Sequence, residues 1–487
     1  MNGLAMTKIM KLHDKLTGRI TQLAKDGSGT IKHDHGRSVQ VYHTIPGETV
    51  EAKITDNTKA VARGKLVAVT EPSSKRVVPR CPYAGTCGGC KWQHVDYHAQ
   101  VAFKLEGIRK AFKKAGVPCP IERVETNTNI FYYRNRMDYV FGSKGELGLK
   151  EPGSWSSILD LSTCFLLSPE SVEIMKIVRE WTRASGLPFW NGKNYTGFFR
   201  YLVIREGKQT GQRLVMLVTA KPTSGPVRAV SPRQCSPELR AVGGPTALPP
   251  DLEKPFTKLV HHLDRHASSI VWGINPLVTD LSIAQEIIPL KGEPWIEEEV
   301  NGLRYKITPN AFFQTNTLMA EKLQDTVKNF CGDLTDKTLL DLYCGSGFFS
   351  LALAPGAKKT VGIELDSEAI ACAKENAARN NITADYFVNA AEKFSAGGGS
   401  AFGGDWSIFN PDIVIIDPPR AGMHPKLIKT LLEVLPPRIV YVSCNYLRFL
   451  EEAKELLAHY NIRKATALDL FPHTPHVECV FQLERKP

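Results

Sequence analysis

The chain has 487 residues, 43% of them hydrophobic and 23% charged, which suits two to four globular domains and excludes a disordered or fibrous chain. No apolar run reaches the roughly eighteen residues of a membrane span. The opening MNGLAMTKIMKLHDK lacks the apolar block of a signal peptide, so a cytoplasmic location is expected.

The net charge is +11, and residues 1–80 carry fourteen Lys/Arg against seven Asp/Glu. A basic terminal module fits either a polyanion partner or a solvated basic surface. Within it, GRITQLAKDGSGTIK, RSVQVYHTIPGETVEAKIT and AVARGKLVAVTEP alternate apolar residues between Gly, Asp and Pro. This predicts a small OB-like β-barrel over 1–71. A basic linker, PSSKRVVP, follows.

CPYAGTCGGC places Cys81, Cys87 and Cys90 within ten residues. Thiols clustered in a cytoplasmic chain point to a soft metal, which needs a fourth ligand. Cys164 in LSTCFLLSP is the first choice and Cys119, between prolines, the rival. Spacing leaves zinc and a [4Fe-4S] cluster open. A helix is predicted over VDYHAQVAFKLEGIRKAFKKAG, then an α+β region with strands at MDYVFG, RYLVIREG and RLVMLVTA, so that 72–300 forms a central domain. FYYRNRMDYV (131–140) interleaves aromatics with arginines, as base stacking plus phosphate binding needs, or is an ordinary amphipathic strand. Residues 222–251, rich in Pro, Gly and Ser, read as a surface insertion.

From about 301 to 487 strands and helices alternate, the pattern of a doubly wound Rossmann-like α/β domain, with a Gly-rich surface loop at 395–411. DLYCGSGFFS puts Gly345 and Gly347 at a strand-to-helix turn, where the backbone can approach a ligand and the helix N-terminus favours a carboxylate. Glu364 ends the next strand, placed to bind ribose hydroxyls. The D-x-x-x-G-x-G form, Glu364 and the downstream DPP favour S-adenosylmethionine over a dinucleotide. DPPR carries Asp417 at a strand end, and VYVSCN carries Cys444 at another. FPHTPHVE ends in Glu478. A thiolate and a carboxylate beside a methyl donor suit uracil C5 methylation. The thiolate adds to C6, C5 takes the methyl group, and a base removes the C5 proton. Donors around Cys444 are expected to lower its pKa.

DLYCGSGFFS, DPPRAG, VYVSCN and LFPHTPHVE, in this order, resemble the uracil-C5 RNA methyltransferase family, whose members act on tRNA and 23S rRNA. The resemblance implies Cys444 as nucleophile and Glu478 as general base. It implies cofactor contacts from Gln314 in NAFFQTN, Tyr343, Glu364 and Asp417. Phe348 stands where many members have Asn, so one cofactor hydrogen bond is expected to be lost or replaced. The C-x5-C-G-G-C run with a distant Cys is similar to the [4Fe-4S] site of the 23S rRNA branch, implying a structural or RNA-orienting cluster on Cys81, Cys87, Cys90 and Cys164. The barrel resembles a TRAM domain, an RNA-binding module. The resemblance favours 23S rRNA over tRNA; the target base must leave its stack to reach Cys444, so base flipping or a single-stranded loop is expected, and no obligate protein partner is evident. The competing readings are a tRNA enzyme, an RNA cytosine-C5 methyltransferase, and a non-catalytic iron–sulfur RNA-binding factor.

Overall fold

The computed structural model describes residues 11–32, 37–154, 156–221, 250–393 and 411–487. The sequence-predicted insertion and the Gly-rich loop fall almost wholly outside these residues. The chain forms two compact units.

The first unit takes the described residues up to Lys104, with 150–154 and Phe471–Pro475. Its strands β1 (Lys15–Leu23), β2 (Gly29–Lys32), β3 (Ser38–Val41), β4 (Thr49–Asp56) and β5 (Ala62–Glu71) close into a barrel in the order β1-β2-β3-β5-β4. Alternation is the cause: Ile20, Ile31, Val39, Val41, Val50, Ala52, Ile54 and Ala62 all point inward and form one core. Beside it, Trp92 donates its indole N–H to Gly27 O at 2.9 Å. The segment Phe471–Pro475, from within FPHTPHVE, packs in this unit. His473 N–H donates to Gln100 Oε1 at 2.8 Å, and Trp92 N–H donates to His473 O at 2.9 Å.

The second unit opens within helix α1 (Tyr97–Ala115) and holds two large sheets. After the short β6 (Val124–Glu125) come β7 (Arg136–Phe141), β8 (Leu147–Lys150), β9 (Ile158–Asp160), α2 (Pro169–Ala184), β10 (Phe199–Glu206), β11 (Arg213–Thr219), α3 (Pro250–Leu263), β12 (Ser269–Ile274) and β13 (Glu286–Lys291). They build a seven-stranded sheet, ordered β13-β12-β11-β10-β7-β8-β9. A hairpin follows, β14 (Ile296–Val300) and β15 (Leu303–Ile307), turned by Asn301 and Gly302 at φ +50° and +76°. Helix α4 (Thr317–Cys331) is capped by Asn316, whose side chain accepts from Met319 N–H at 3.3 Å.

The C-terminal elements are β16 (Thr338–Leu342), α5 (Phe348–Leu353), β17 (Lys359–Glu364), α6 (Ser367–Arg379), β18 (Asp385–Val388), β19 (Ile413–Ile416), α7 (Pro425–Val434), β20 (Arg438–Ser443), α8 (Tyr446–His459), β21 (Tyr460–Leu468) and β22 (Glu478–Arg485). The eight-stranded sheet runs β18-β17-β16-β19-β20-β22-β21-β6. The first five are mutually parallel and β22 is antiparallel to β20. Strand order reverses between β16 and β19, the switch point where such sheets open a ligand crevice. Sequence patterning identifies the α/β alternation but misses β18 and β21, which are short on apolar alternation.

Candidate active site

Tyr343, Glu364, Asp417 and Cys444 follow or end parallel strands of this sheet, Glu478 opens the antiparallel β22 beside them, and Gln314 comes from the loop before α4. The loop after β16 turns on three left-handed residues, Tyr343, Gly345 and Gly347, at φ +61°, +53° and +86°. Gly347 also caps α5, and a Cβ there would lie 2.9 Å from the Tyr386 hydroxyl. The turn is anchored from below by Asp341, which the sequence reading quoted but gave no role. Its buried carboxylate accepts Ser350 N–H at 2.9 Å, and burial raises its pKa to about 7. Glu364, at the end of β17, accepts from Gly345 N–H at 3.3 Å, Leu365 N–H at 2.6 Å and Asp366 N–H at 3.0 Å. The Gly turn and the acidic strand end are thus locked together. Space stays open above Gly345, where a Cβ would meet nothing within 4 Å. The Tyr343 hydroxyl receives a backbone N–H of His424. Phe348 is not in this crevice. It packs in the core against Tyr305 and Phe313, with centroids 6.0 and 5.8 Å away, so it takes no part in a polar contact through its side chain.

Across the switch point, Gln314 Nε2 lies 3.5 Å from Asp417 Oδ2. Cys444 follows β20 directly. The β20–β22 register pairs Ser443 with Cys479, so the next step sets Cys444 opposite Glu478. Glu478 is 4% exposed, and its Oε1 has no hydrogen-bond partner among the described residues. Burial and the nearby Asp417 push its carboxyl well above the usual range. Burial, Glu478 and Asp417 push the Cys444 thiol up to about 11, with Arg420 and a backbone N–H pulling the other way. The expected lowering by local donors is therefore reversed in the ligand-free protein. Burial acts first, two carboxylates add to it, and one cation does not outweigh them.

Two supports were not legible from the motifs. Glu452 on α8 accepts from the Tyr441 hydroxyl at 2.6 Å and Met423 N–H at 2.9 Å, and forms an ion pair with Arg448 at 3.0 Å. It thereby ties β20, the strand leading to Cys444, to the loop after DPPR. The second support is FYYRNRMDYV itself. Asn135 donates its amide to Gln314 O at 2.8 Å and to Thr317 Oγ1 at 3.1 Å, and its backbone N–H to Thr315 O at 2.8 Å. Arg136 pairs with Asp138 at 2.8 Å and reaches Pro309 O at 3.4 Å. Arg205, 2% exposed, donates to Pro309 O at 3.1 Å and to Ala311 O. This stretch holds the loop that carries Gln314. The same loop presents Phe312, 73% exposed.

The cysteines separate by environment. None of the described ones is in a disulfide. Backbone N–H groups of Tyr83 and Ala84 point at the half-buried Cys81 sulfur, and Gly89 N–H donates to Cys87 Sγ at 3.4 Å. A Cβ on Gly88 would meet Lys150 O at 2.8 Å. Such N–H donors suit thiolate ligands. Cys164 is buried beside the Tyr139 hydroxyl. Cys119 lies near Cys479 instead. Among the described residues, no three His, Cys, Asp or Glu side chains are gathered closely enough to hold a metal ion. Among them, too, no helix is long and apolar enough to cross a membrane.

The comparisons agree with this geometry. Residues 292–486 match the family described as tRNA (Uracil-5-)-methyltransferase, and residues 18–67 match the TRAM domain. The tRNA (uracil(54)-C(5))-methyltransferase of Pyrococcus furiosus is 34% identical over 470 residues, covering 96% of this chain and 100% of that protein. An uncharacterized RNA methyltransferase of Caldanaerobacter subterraneus is 31% identical, covering 96% and 98%. The crystal structure of Pyrococcus abyssi tRNA (uracil-54, C5)-methyltransferase with S-adenosyl-L-homocysteine matches with a TM-score of 0.72 and 29% identity, covering 96% of this chain and all of that one. With a Gly turn, an acidic strand end and a Cys–Glu pair converging on one crevice, the chain belongs to the uracil-C5 RNA methyltransferase family, with a TRAM domain near its N-terminus.

Proposed function

We propose that the protein methylates C5 of a uridine in RNA, with Cys444 as nucleophile and Glu478 as general base. The observation that carries this is the strand register that sets Cys444 opposite Glu478 at the open end of the sheet. S-adenosylmethionine, when bound, supplies an electrophilic methyl group. Gln314, Tyr343, Gly345, Gly347, Glu364 and Asp417 would hold it, the last beside the reacting base. The Cys444 thiolate adds to uracil C6 and leaves an enolate. C5 takes the methyl group, and S-adenosylhomocysteine departs. Glu478 removes the C5 proton. The enolate then re-forms the C5–C6 double bond and expels the thiolate. Burial disfavours the ionised forms of Cys444, Asp417 and Glu478, and a bound sulfonium cation would favour them.

The 23S rRNA reading rests on the resemblance of the barrel and the cysteine run. The tRNA reading rests on named tRNA relatives that align across 96% of this chain, barrel region included. Possession of the barrel therefore does not separate the two RNAs. A [4Fe-4S] cluster on Cys81, Cys87, Cys90 and Cys164 rests on the resemblance and on N–H donors aimed at Cys81 and Cys87, while the described residues gather no three ligands closely enough to hold a metal. It would order the loop and takes no part in the methyl transfer.

Mass mapping of 5-methyluridine in rRNA and tRNA from cells with and without the protein tests the reaction and the substrate together. Loss of 5-methyluridine at one site is the expected result. Unchanged RNA in both pools overturns the reading. Iron and acid-labile sulfide per chain, measured on anaerobically purified protein, test the cluster.

A further inference from the structure

The loop between β12 and β13 is held as firmly as the catalytic loops, yet no role has been given to it. Arg200, 1% exposed, donates to Asn275 O at 2.7 Å, Leu277 O at 2.8 Å and Thr279 O, and stacks on Trp190 at 4.5 Å. Tyr201 donates its hydroxyl to Asp280 at 2.9 Å. Asn275 donates to Leu281 O at 3.2 Å. Ser282 turns inward and donates to Asp138 Oδ2 at 2.6 Å, while Leu281 and Ile283 turn outward, 54% and 40% exposed.

This tip is laced to the loop bearing Gln314. Asn310 accepts Ala284 N–H at 3.0 Å and returns its amide to Ala284 O at 2.8 Å. Arg136 serves both loops, reaching Ser282 Oγ at 3.4 Å and Pro309 O at 3.4 Å. A buried arginine and a reciprocal amide pair thus fix two bare aliphatic side chains beside a loop whose Gln314 meets Asp417.

We infer that Leu281 and Ile283 form an apolar wedge against the nucleobases that flank the target uridine. The inference rests on the RNA-methylating reading above. A uridine that swings out to reach Cys444 leaves an unstacked gap. Leu and Ile are side chains that proteins insert between base steps. The rigid mounting matters, because a mobile aliphatic tip would lose ordering entropy on every encounter. The Asn310–Ala284 pair joins the tip to the loop whose Gln314 meets Asp417, and this link to the proposed uridine site selects RNA bases over a protein as occupant.

The test uses the full chain, methyl-labelled S-adenosylmethionine, and total RNA from cells lacking the protein. Leu281→Ser/Ile283→Ser is expected to raise KM for RNA about tenfold while leaving S-adenosylhomocysteine affinity and Tm unchanged. Leu281→Met/Ile283→Val keeps the apolar character and is expected to restore wild-type KM, which a merely structural role in the loop does not explain. An unchanged KM for RNA in the serine variant overturns the wedge, as does equal loss in both variants. A serine variant defective only in cell-derived ribonucleoprotein, and normal on naked RNA, assigns the tip to a protein partner and also overturns it. If the wild-type chain itself transfers no methyl, the reaction reading fails; the wedge is then judged by gel-shift affinity for the same RNA, where equal binding of wild type and serine variant overturns it.

Discussion

Cys444 and Glu478 are neighbours because two antiparallel strands are in register, Ser443 with Cys479, and the pair lies one step beyond. Side-chain chemistry follows from backbone pairing here. Removing the base while keeping the nucleophile should stall the reaction after addition. Glu478→Gln is expected to lower turnover by about a hundredfold or more and to accumulate a protein–RNA adduct that survives denaturing electrophoresis. Cys444→Ala should show neither product nor adduct. A Glu478→Gln protein with near-normal turnover removes the base assignment.

The ligand-free thiol gives a second prediction. With the Cys444 pKa raised to about 11, little thiolate exists at neutral pH. Alkylation of Cys444 by iodoacetamide, followed at the level of its peptide, should quicken about tenfold per pH unit between roughly 7 and 10. Arg420→Ala removes the cation that favours the thiolate and should slow alkylation at any fixed pH. A plateau below pH 8 contradicts the burial argument.

The glycine turn is sterically specified. At Gly347, φ is +86° and a Cβ would sit 2.9 Å from the Tyr386 hydroxyl. Gly347→Ala should destabilise the fold by about 1–2 kcal/mol and weaken S-adenosylhomocysteine binding several-fold by calorimetry. Alanine tolerated with full affinity would show that the turn is not held as described.

In the barrel unit, the half-buried His43 and the buried His94 have rings 5.6 Å apart, and neither Nε2 atom has a hydrogen-bond partner among the described residues. Burial first, then Arg76, depresses both, His43 to about 4 and His94 to about 3. The unfolded chain takes up these protons first, near pH 6.5. Stability from this pair is therefore intact above pH 6.5 and is lost as pH falls toward 4. The loss is about 2 kcal/mol per histidine by pH 5. Thermal unfolding between pH 7 and 5 should show the decline, and a His43→Asn/His94→Gln variant should flatten it.

Much of the α/β sheet and its crevice was legible because strand-end residues follow directly from periodicity. Gly345, Gly347, Glu364, Asp417 and Cys444 each end a strand or begin a helix, and the motif order brings them to one edge. The hairpin at Asn301–Gly302 was legible too, since Asn-Gly between alternating runs specifies that turn, but it went unread. Glu452, Asn135 and Arg205 were not legible. Each acts on backbone groups far away in sequence, and a carbonyl leaves no signature in composition. FYYRNRMDYV reads equally as an RNA surface or an amphipathic strand, and its Asn135 and Arg136 turn out to grip backbone oxygens of the loop bearing Gln314. The direction of the Cys444 shift was not legible because its burial and the approach of Glu478 and Asp417 arise only after folding.

The loop holding Gln314 is braced by Arg205, Arg136 and Asn135 before any RNA arrives. Its conformational cost is met during folding and does not recur at each encounter. The slow step of capture is then expected to be the opening of the nucleic acid itself. Methylation rate across a set of sites should track how readily each uridine leaves its stack, so that RNA dynamics, more than protein motion, set the pace.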